Sequence, residues 1–307
     1  MIEPGTIYLD GEYLDYKDAH LPVLTHALHY GLAAFEGIRA YRTDDGRTAI
    51  FRLRDHLERL LSSARMILFK QTPTVEVLRE VCHELLRRNH LPEAYLRPLL
   101  FSGHGQMGLY APGNPVRVMV ATWPWGAYLG DEAIAKGVRC CVSTYQRAPA
   151  SSMLSKAKVA ANYVTSILAK AEAKGRGYDE ALMPDERGRI IEGSGENLFY
   201  VRNGTLHTPP ESAPILHGVT RQTVLELAAE FGMSIGYDSP PRDLLYLSSE
   251  VFLTGTAAEL TPVREVDGHV IGSGKPGPIT KRIQTAFFDI VRGRREAPSG
   301  WLDTVEF

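Results

Sequence analysis

Between residues 180 and 207 the chain carries four short apolar runs in close succession. They read as strands at Glu180–Met183, Ile190–Glu192, Asn197–Val201 and Thr205–His207, with Asn203-Gly204 as the turn between the last two. Strands this short and this closely spaced do not follow the regular strand–helix alternation of a Rossmann sheet. They point to an α+β (mixed α/β) layering instead.

The rest of the chain divides around a change of texture. Asp10-Gly11 is a hairpin turn signal between Thr6–Leu9 and Glu12–Leu14. The spacing of Leu57, Leu60, Leu61 and Ala64 predicts a helix over Arg54–Met66, and Val77, Leu78, Val81, Leu85 and Leu86 predict one over Val75–Asn89. Ala94–Phe101 and Val116–Thr122 read as buried strands. Trp123–Gly130 then packs proline, two glycines and three aromatics into eight residues with no period, which suggests a linker. A chain of 307 residues is long for one core. We therefore expect a small N-terminal α/β domain over 1–124, a linker over 125–137 and a larger C-terminal domain over 138–307. The second part opens with a strand at Val138–Thr144. It continues with helices at Lys158–Lys174, Thr220–Phe231 (N-cap Thr220, stop Gly232) and Pro278–Arg292, and with a strand at Val251–Gly255.

Composition excludes several classes. The net charge of −2 carries no basic footprint for nucleic acid. No run approaches the ~18 apolar residues of a membrane span, and Met1–Gly5 lacks the basic start and apolar run of a secretory signal. Cys82, Cys140 and Cys141 form neither a disulfide framework nor a zinc pair, so inert thiols in a reducing cytoplasm are expected. His26 and His29 lack the carboxylate that would complete a metal set, and no metal is expected.

The chemistry is carried by three segments. There are nine lysines against twenty-five arginines, and two of the nine are Lys156 and Lys158. They enter a stretch with a small apolar face, Ala157, Ala160, Ala161, Val164 and Leu168. A lysine beside such a face can be desolvated and suited to Schiff-base chemistry. Spacing alone favours a surface lysine snorkelling past alanines, and it does not choose between the two lysines. Glu192-Gly193-Ser194-Gly195-Glu196 sets two carboxylates around tightly turning glycines. Leu216–Arg221 opens a helix whose free N–H groups suit a phosphate. Thr254-Gly255-Thr256-Ala257-Ala258 is a second candidate anion cradle. Each alone is more often a plain turn or cap.

Taken together and in order, these segments resemble the class IV, fold-type IV aminotransferases. The pattern is Glu192, Asn197, Leu198 and Phe199, then Leu206-His207-Thr208, then Leu216-His217-Gly218-Val219-Thr220-Arg221. Within the family the chain looks most like bacterial branched-chain aminotransferases. The segments that carry this are His26–Gly31, Phe35-Glu36-Gly37-Ile38-Arg39, Tyr95–Leu99, Pro124–Gly130 and Gly255–Glu259. Where many relatives have a glycine just after the lysine, this chain has Val159-Ala160-Ala161, which narrows the space there slightly.

The resemblance implies ping-pong Schiff-base transamination on pyridoxal 5'-phosphate, in a cytoplasmic enzyme of branched-chain amino acid biosynthesis. The substrates implied are leucine, isoleucine or valine with glutamate and 2-oxoglutarate. By position it makes Lys158 the cofactor-bonding lysine and Lys156 a bystander. Glu192 is then the partner of the pyridine nitrogen, and Tyr163 a neighbour of O3'. Arg59, the Val219 and Thr220 N–H groups and Thr256 become the phosphate site, although Arg59 out of context reads as an exposed helix residue. Tyr95 with Thr256, Ala257 and Ala258 would receive the α-carboxylate. Tyr30, Phe35, Gly37, Met107, Leu109, Trp125 and Tyr128 would line the pocket, and Arg97 would take the distal carboxylate of glutamate. The site is expected between the two domains and completed by a second subunit through Tyr30, Met107 and Leu109, so a homodimer is the minimum. Rival readings are D-amino acid or R-amine transaminase, aminodeoxychorismate lyase, and a decayed binding protein.

Overall fold

The computed structural model describes residues 5–126 and 130–307. Residues 1–4 and 127–129 lie outside the described residues, and with them Tyr128 (expected to line the pocket), part of the expected linker and most of the amino-terminal segment. The chain forms two compact units, each assembled from more than one stretch of sequence. The first holds Met1–Trp125, Ala157–Ala161 and Asp289–Phe307; the second holds Gly126–Lys156 and Asn162–Phe288. This differs from a single boundary at the linker. The carboxy-terminal strand Leu302–Val305 explains much of it, because it pairs antiparallel with Thr48–Phe51.

The first unit is built on a sheet of eight described strands. Its longest pairing joins Ala94–Ser102 to Val116–Trp123 through eight matched positions, Tyr95 to Trp123 at one end and Ser102 to Val116 at the other. The helices Leu53–Met66 and Val75–Arg88 bury Leu53, Leu57, Leu60, Leu78, Val81, Cys82, Leu85 and Leu86 in one cluster with Ile38, Ile50, Leu96 and Leu100 of the strands. Each leucine fully removed from water contributes roughly 1.5–3 kcal/mol. Val77, expected on the inner face, is instead exposed. Thr74 caps that helix by accepting from the Val77 N–H, which fixes its start.

The second unit holds a sheet of nine described strands in which parallel and antiparallel pairs mix. Asn197–Arg202, Glu250–Gly255 and Glu259–Val266 run antiparallel side by side, while Val138–Val142 pairs parallel with both Glu259–Val266 and Glu180–Pro184. The four strands read from spacing are present at Glu180–Pro184, Ile190–Gly193, Asn197–Arg202 and Thr205–Thr208. The mixed α+β class stands. Among the described residues no helix is long and apolar enough to cross a membrane. Cys82, Cys140 and Cys141 are free and buried.

Two helix starts differ from expectation. The helix expected at Lys158 begins at Tyr163, after a short 3-10 turn at Ala160–Asn162. Lys158 lies instead in irregular chain before it, where the Val159 N–H bonds back to the Ala157 carbonyl at 3.1 Å, Val159 bridges Ala34 and the Lys158 carbonyl accepts from the Phe35 N–H. The helix Val219–Glu230 is capped by Gly218, so Thr220 falls inside its first turn.

Candidate active site

In the first unit, Lys158 is fixed through its backbone. Its N–H donates to Ser63 Oγ at 3.0 Å and its carbonyl accepts from Phe35 N at 3.0 Å. Its Nζ lies 5.1 Å from the centroid of the Phe35 ring. The guanidinium of Arg97 is 4.9 Å from the same centroid. Phe35 thus gathers an amine and a guanidinium around one aromatic ring, a geometry suited to a substrate with an apolar side chain and a carboxylate.

Arg97 donates through Nη2 to the Tyr95 hydroxyl at 3.3 Å, and its buried Nε has no hydrogen-bond partner among the described residues. The Tyr95 hydroxyl sits so close to Gly37 that a Cβ there would lie 1.8 Å from the oxygen. Glycine at 37 is therefore what lets Tyr95 hold its place. Tyr95 also stacks at a tilt on Trp123 and Trp125, which makes a rigid aromatic wall. Tyr30, Met107 and Leu109 are exposed, Leu109 almost fully. They do not join the Phe35 cluster, although His26 ties the Tyr30 helix to the Met107–Leu109 loop by bonding the Gly108 carbonyl at 2.9 Å.

Arg59 is held by Glu36, whose carboxylate accepts from Nε at 2.7 Å and Nη2 at 2.9 Å. His56 Nδ1 is 2.8 Å from the same carboxylate. Sequence reasoning quoted Glu36 within a segment but gave it no role, and missed His56 and Ser63. Glu36 meets His56, and Ser63 meets the Lys158 N–H, through the tertiary fold.

In the second unit, the segments of the family pattern form one connected structure. Glu192 and Asn197 are paired across adjacent strands. Asn197 Nδ2 donates to the Leu216 carbonyl at 2.9 Å, and its Oδ1 fills the space beside Gly218, where a Cβ would come within 2.1 Å. Arg221 donates to Thr208 Oγ1 at 3.3 Å and to the Pro209 carbonyl at 2.9 Å, and Thr208 donates to the Leu198 carbonyl. Asn197, Thr208, Gly218 and Arg221 therefore place the first turn of the helix that begins at Val219. Its leading N–H groups suit an anion.

Glu192 is buried. Burial pushes its carboxyl up, and the Arg147 guanidinium and the Leu216 N–H act against that. Arg147 forms an ion pair with Glu192 at 2.5 Å, donates to the Gly193 and Ser194 carbonyls at 3.1 and 2.9 Å, and reaches Ser166 Oγ at 2.7 Å. No spacing signal marked Arg147, which lies in irregular chain after the strand Val138–Val142. Lys156 donates to the Ala213 and Ile215 carbonyls at 2.6 and 3.0 Å, and burial lowers its pKa. Its ammonium is engaged in holding the loop before the helix. Tyr163, first in its helix, is half-buried. Thr256, Ala257 and Ala258 follow the strand Glu250–Gly255, with Thr256 and Ala257 partly open and Ala258 buried. Among the described residues no cluster of three or more His, Cys, Asp and Glu side chains could hold a metal ion.

Comparison with known proteins places this arrangement. The family model for amino-transferase class IV matches residues 33–266. The branched-chain-amino-acid aminotransferase of Escherichia coli K12 is 45% identical over 300 residues, covering 97% of both chains. A crystal structure of the Escherichia coli enzyme superposes with a TM-score of 0.96 at 44% identity, covering 98% of this chain and 99% of that one. The branched-chain amino acid aminotransferase of Thermobaculum terrenum, solved in its PLP-form, superposes with a TM-score of 0.93 at 31% identity, covering 100% of each chain.

Proposed function

We infer, because this chain belongs to the class IV aminotransferases, that it transfers the amino group between branched-chain L-amino acids and 2-oxoglutarate with pyridoxal 5'-phosphate as cofactor. The observation that carries the substrate reading is the pairing of Lys158 and Arg97 around the Phe35 ring. An apolar wall serves leucine, isoleucine or valine, and a guanidinium whose buried Nε has no partner among the described residues serves the second carboxylate of glutamate.

The donor set fits the cofactor. Arg59 and the Val219 and Thr220 N–H groups are phosphate ligands by chemistry, with Thr256 as a further hydroxyl. Glu192 is a buried carboxylate able to accept from a protonated ring nitrogen. Pyridoxal phosphate, when bound, supplies the aldehyde and the electron-withdrawing ring that stabilise negative charge at the substrate Cα. The chain supplies the rest. Lys158 Nζ would hold the cofactor through its aldehyde and would move the proton at the substrate Cα. Glu192 would accept from the protonated ring nitrogen, and Arg147 acts against the upward push of burial on its carboxyl. Tyr163 packs near the ring hydroxyl. Tyr95 and the backbone of Thr256, Ala257 and Ala258 receive the α-carboxylate.

We further assign the protein to the cytoplasm as a homodimer or larger symmetric assembly. Exposed Tyr30, Met107, Leu109 and Tyr110 support the assembly, being apolar surface that a second copy would cover. The function is tested by a panel of amino donors with 2-oxoglutarate. L-leucine, L-isoleucine and L-valine should turn over, while D-alanine and R-1-phenylethylamine should not. Preferred turnover of either of the last two, or lyase action on aminodeoxychorismate, would refute the assignment.

A further inference from the structure

Glu36 is fully buried, and four donors reach its carboxylate. It receives Arg59 Nε and Nη2 as a fork at 2.7 and 2.9 Å, His56 Nδ1 at 2.8 Å and its neighbour's Gly37 N–H at 3.2 Å. Its own N–H donates to the Pro98 carbonyl at 2.9 Å, so the acid is pinned to the sheet. Burial alone would raise its pKa, but Arg59 and His56 outweigh that and hold the carboxyl well below the usual range. Burial lowers the pKa of His56. A ring nitrogen facing a carboxylate must carry the hydrogen, so His56 donates through Nδ1.

An ion pair this deeply buried is a weak device for stability, since desolvation of both ions offsets their attraction. It is a strong device for direction. A free arginine loses rotamer entropy when a ligand immobilises it, and a guanidinium already held in a fork loses much less. His56, Arg59 and Ser63 lie on one face of the helix Leu53–Met66. Ser63 Oγ donates to the Arg59 carbonyl at 2.8 Å and accepts the Lys158 N–H at 3.0 Å. One helix face thus ties Arg59 to the backbone of the lysine.

We propose that Glu36, seated on His56 and forked onto Arg59, is a positioning residue for the phosphate group of the cofactor. The proposal rests on the reading of Arg59 as a phosphate ligand. It is tested by titrating the apoprotein with pyridoxal phosphate and, separately, with pyridoxal, following the absorbance of the bound chromophore. Glu36→Gln keeps the shape but removes the charge. It should weaken pyridoxal phosphate by about 10- to 100-fold, the loss expected for a hydrogen bond to a charged group, and leave pyridoxal within about 3-fold. Equal weakening of both ligands, or of neither, would overturn the proposal. If Glu36→Gln does not fold, His56→Leu should show the same selective loss, and His56→Asn, which keeps a donor near the Nδ1 position, should restore much of it. A His56→Leu protein that binds both ligands as the native chain does would equally overturn it. Arg59→Leu separates the two claims. If it fails to discriminate between the ligands, the Arg59 reading falls and the proposal with it. If it discriminates while Glu36→Gln does not, only the proposal falls.

Discussion

The two units each bury a carboxylate against an arginine, and the two pairs are built differently. Glu36 meets Arg59 through two parallel hydrogen bonds and adds His56. Glu192 meets Arg147 through one ion pair, and Arg147 spends its other donors on the Gly193 and Ser194 carbonyls and Ser166. The consequence is opposite in sign: the Glu36 carboxyl is held low, whereas that of Glu192 is pushed up by burial. A saturated pair of this kind orients its arginine. A pair left short of donors has a carboxylate with capacity for one more, which is what a ring nitrogen needs.

The comparison breaks first on substitution. Glu192→Gln should fold normally and lose about 10²- to 10⁴-fold in kcat, the range for a group that stabilises charge in the transition state. Single-turnover kinetics beside a thermal melt would check it. A fold-wide destabilisation with kcat intact would reverse the roles assigned to the two acids. Glu36→Ala should do the opposite and cost about 3–5 kcal/mol of stability, because Arg59 is left facing a vacant acid site. Denaturant unfolding measures this, and a loss under ~1 kcal/mol would mean the pair is exchangeable.

Arg97 sharpens the contrast as an arginine that makes no ion pair with the described residues and has an unused Nε. Arg97→Leu should lower kcat/KM for glutamate by about 10- to 100-fold and leave leucine within about 3-fold. Parallel steady-state assays decide it, and equal losses would make Arg97 structural.

The smallest effect concerns pH. Glu196 is buried, and burial with the neighbouring Glu180 raises its pKa to about 8. Lys170 holds Glu180 from the other side, and Ser194 donates to it at 2.6 Å. The folded chain therefore keeps a proton on Glu196 that the unfolded chain releases near 4.5. Its contribution to stability is full below about 4.5 and is lost as pH rises towards 8. Glu196→Gln, which mimics the protonated acid, should flatten that slope by on the order of 1 kcal/mol per pH unit. Unfolding curves at about pH 6 and about pH 8 test it, and an unchanged slope would place the proton elsewhere.

Much of the second unit's site was legible in the sequence because its partners are near in the chain or joined by short strands. Glu192, Asn197, Thr208, Gly218 and Arg221 occur in one run, and the structure shows why the set travels together: each fixes the next around a helix start. The first unit's site was not legible in the same way. Glu36 sits between two strands and Arg59 on a helix that reads as amphipathic with arginine outward, and only the tertiary fold brings them into contact. Lys158 was placed on a helix because its neighbours are small and apolar. The pairing with Ala34 and Phe35 that keeps it out of the helix is long-range and leaves no periodic trace. The strand Leu302–Val305 escaped notice for the same reason, since its partner lies near the opposite end of the chain.

The two lysines offer the most direct trial. Lys156 gives its ammonium to two carbonyls, while Lys158 presents its Nζ beside Phe35. Borohydride reduction of the protein loaded with pyridoxal phosphate, followed by peptide mapping, reads which amine holds the cofactor. The label is expected on Lys158 alone; label on Lys156, or none on either, would contradict the account.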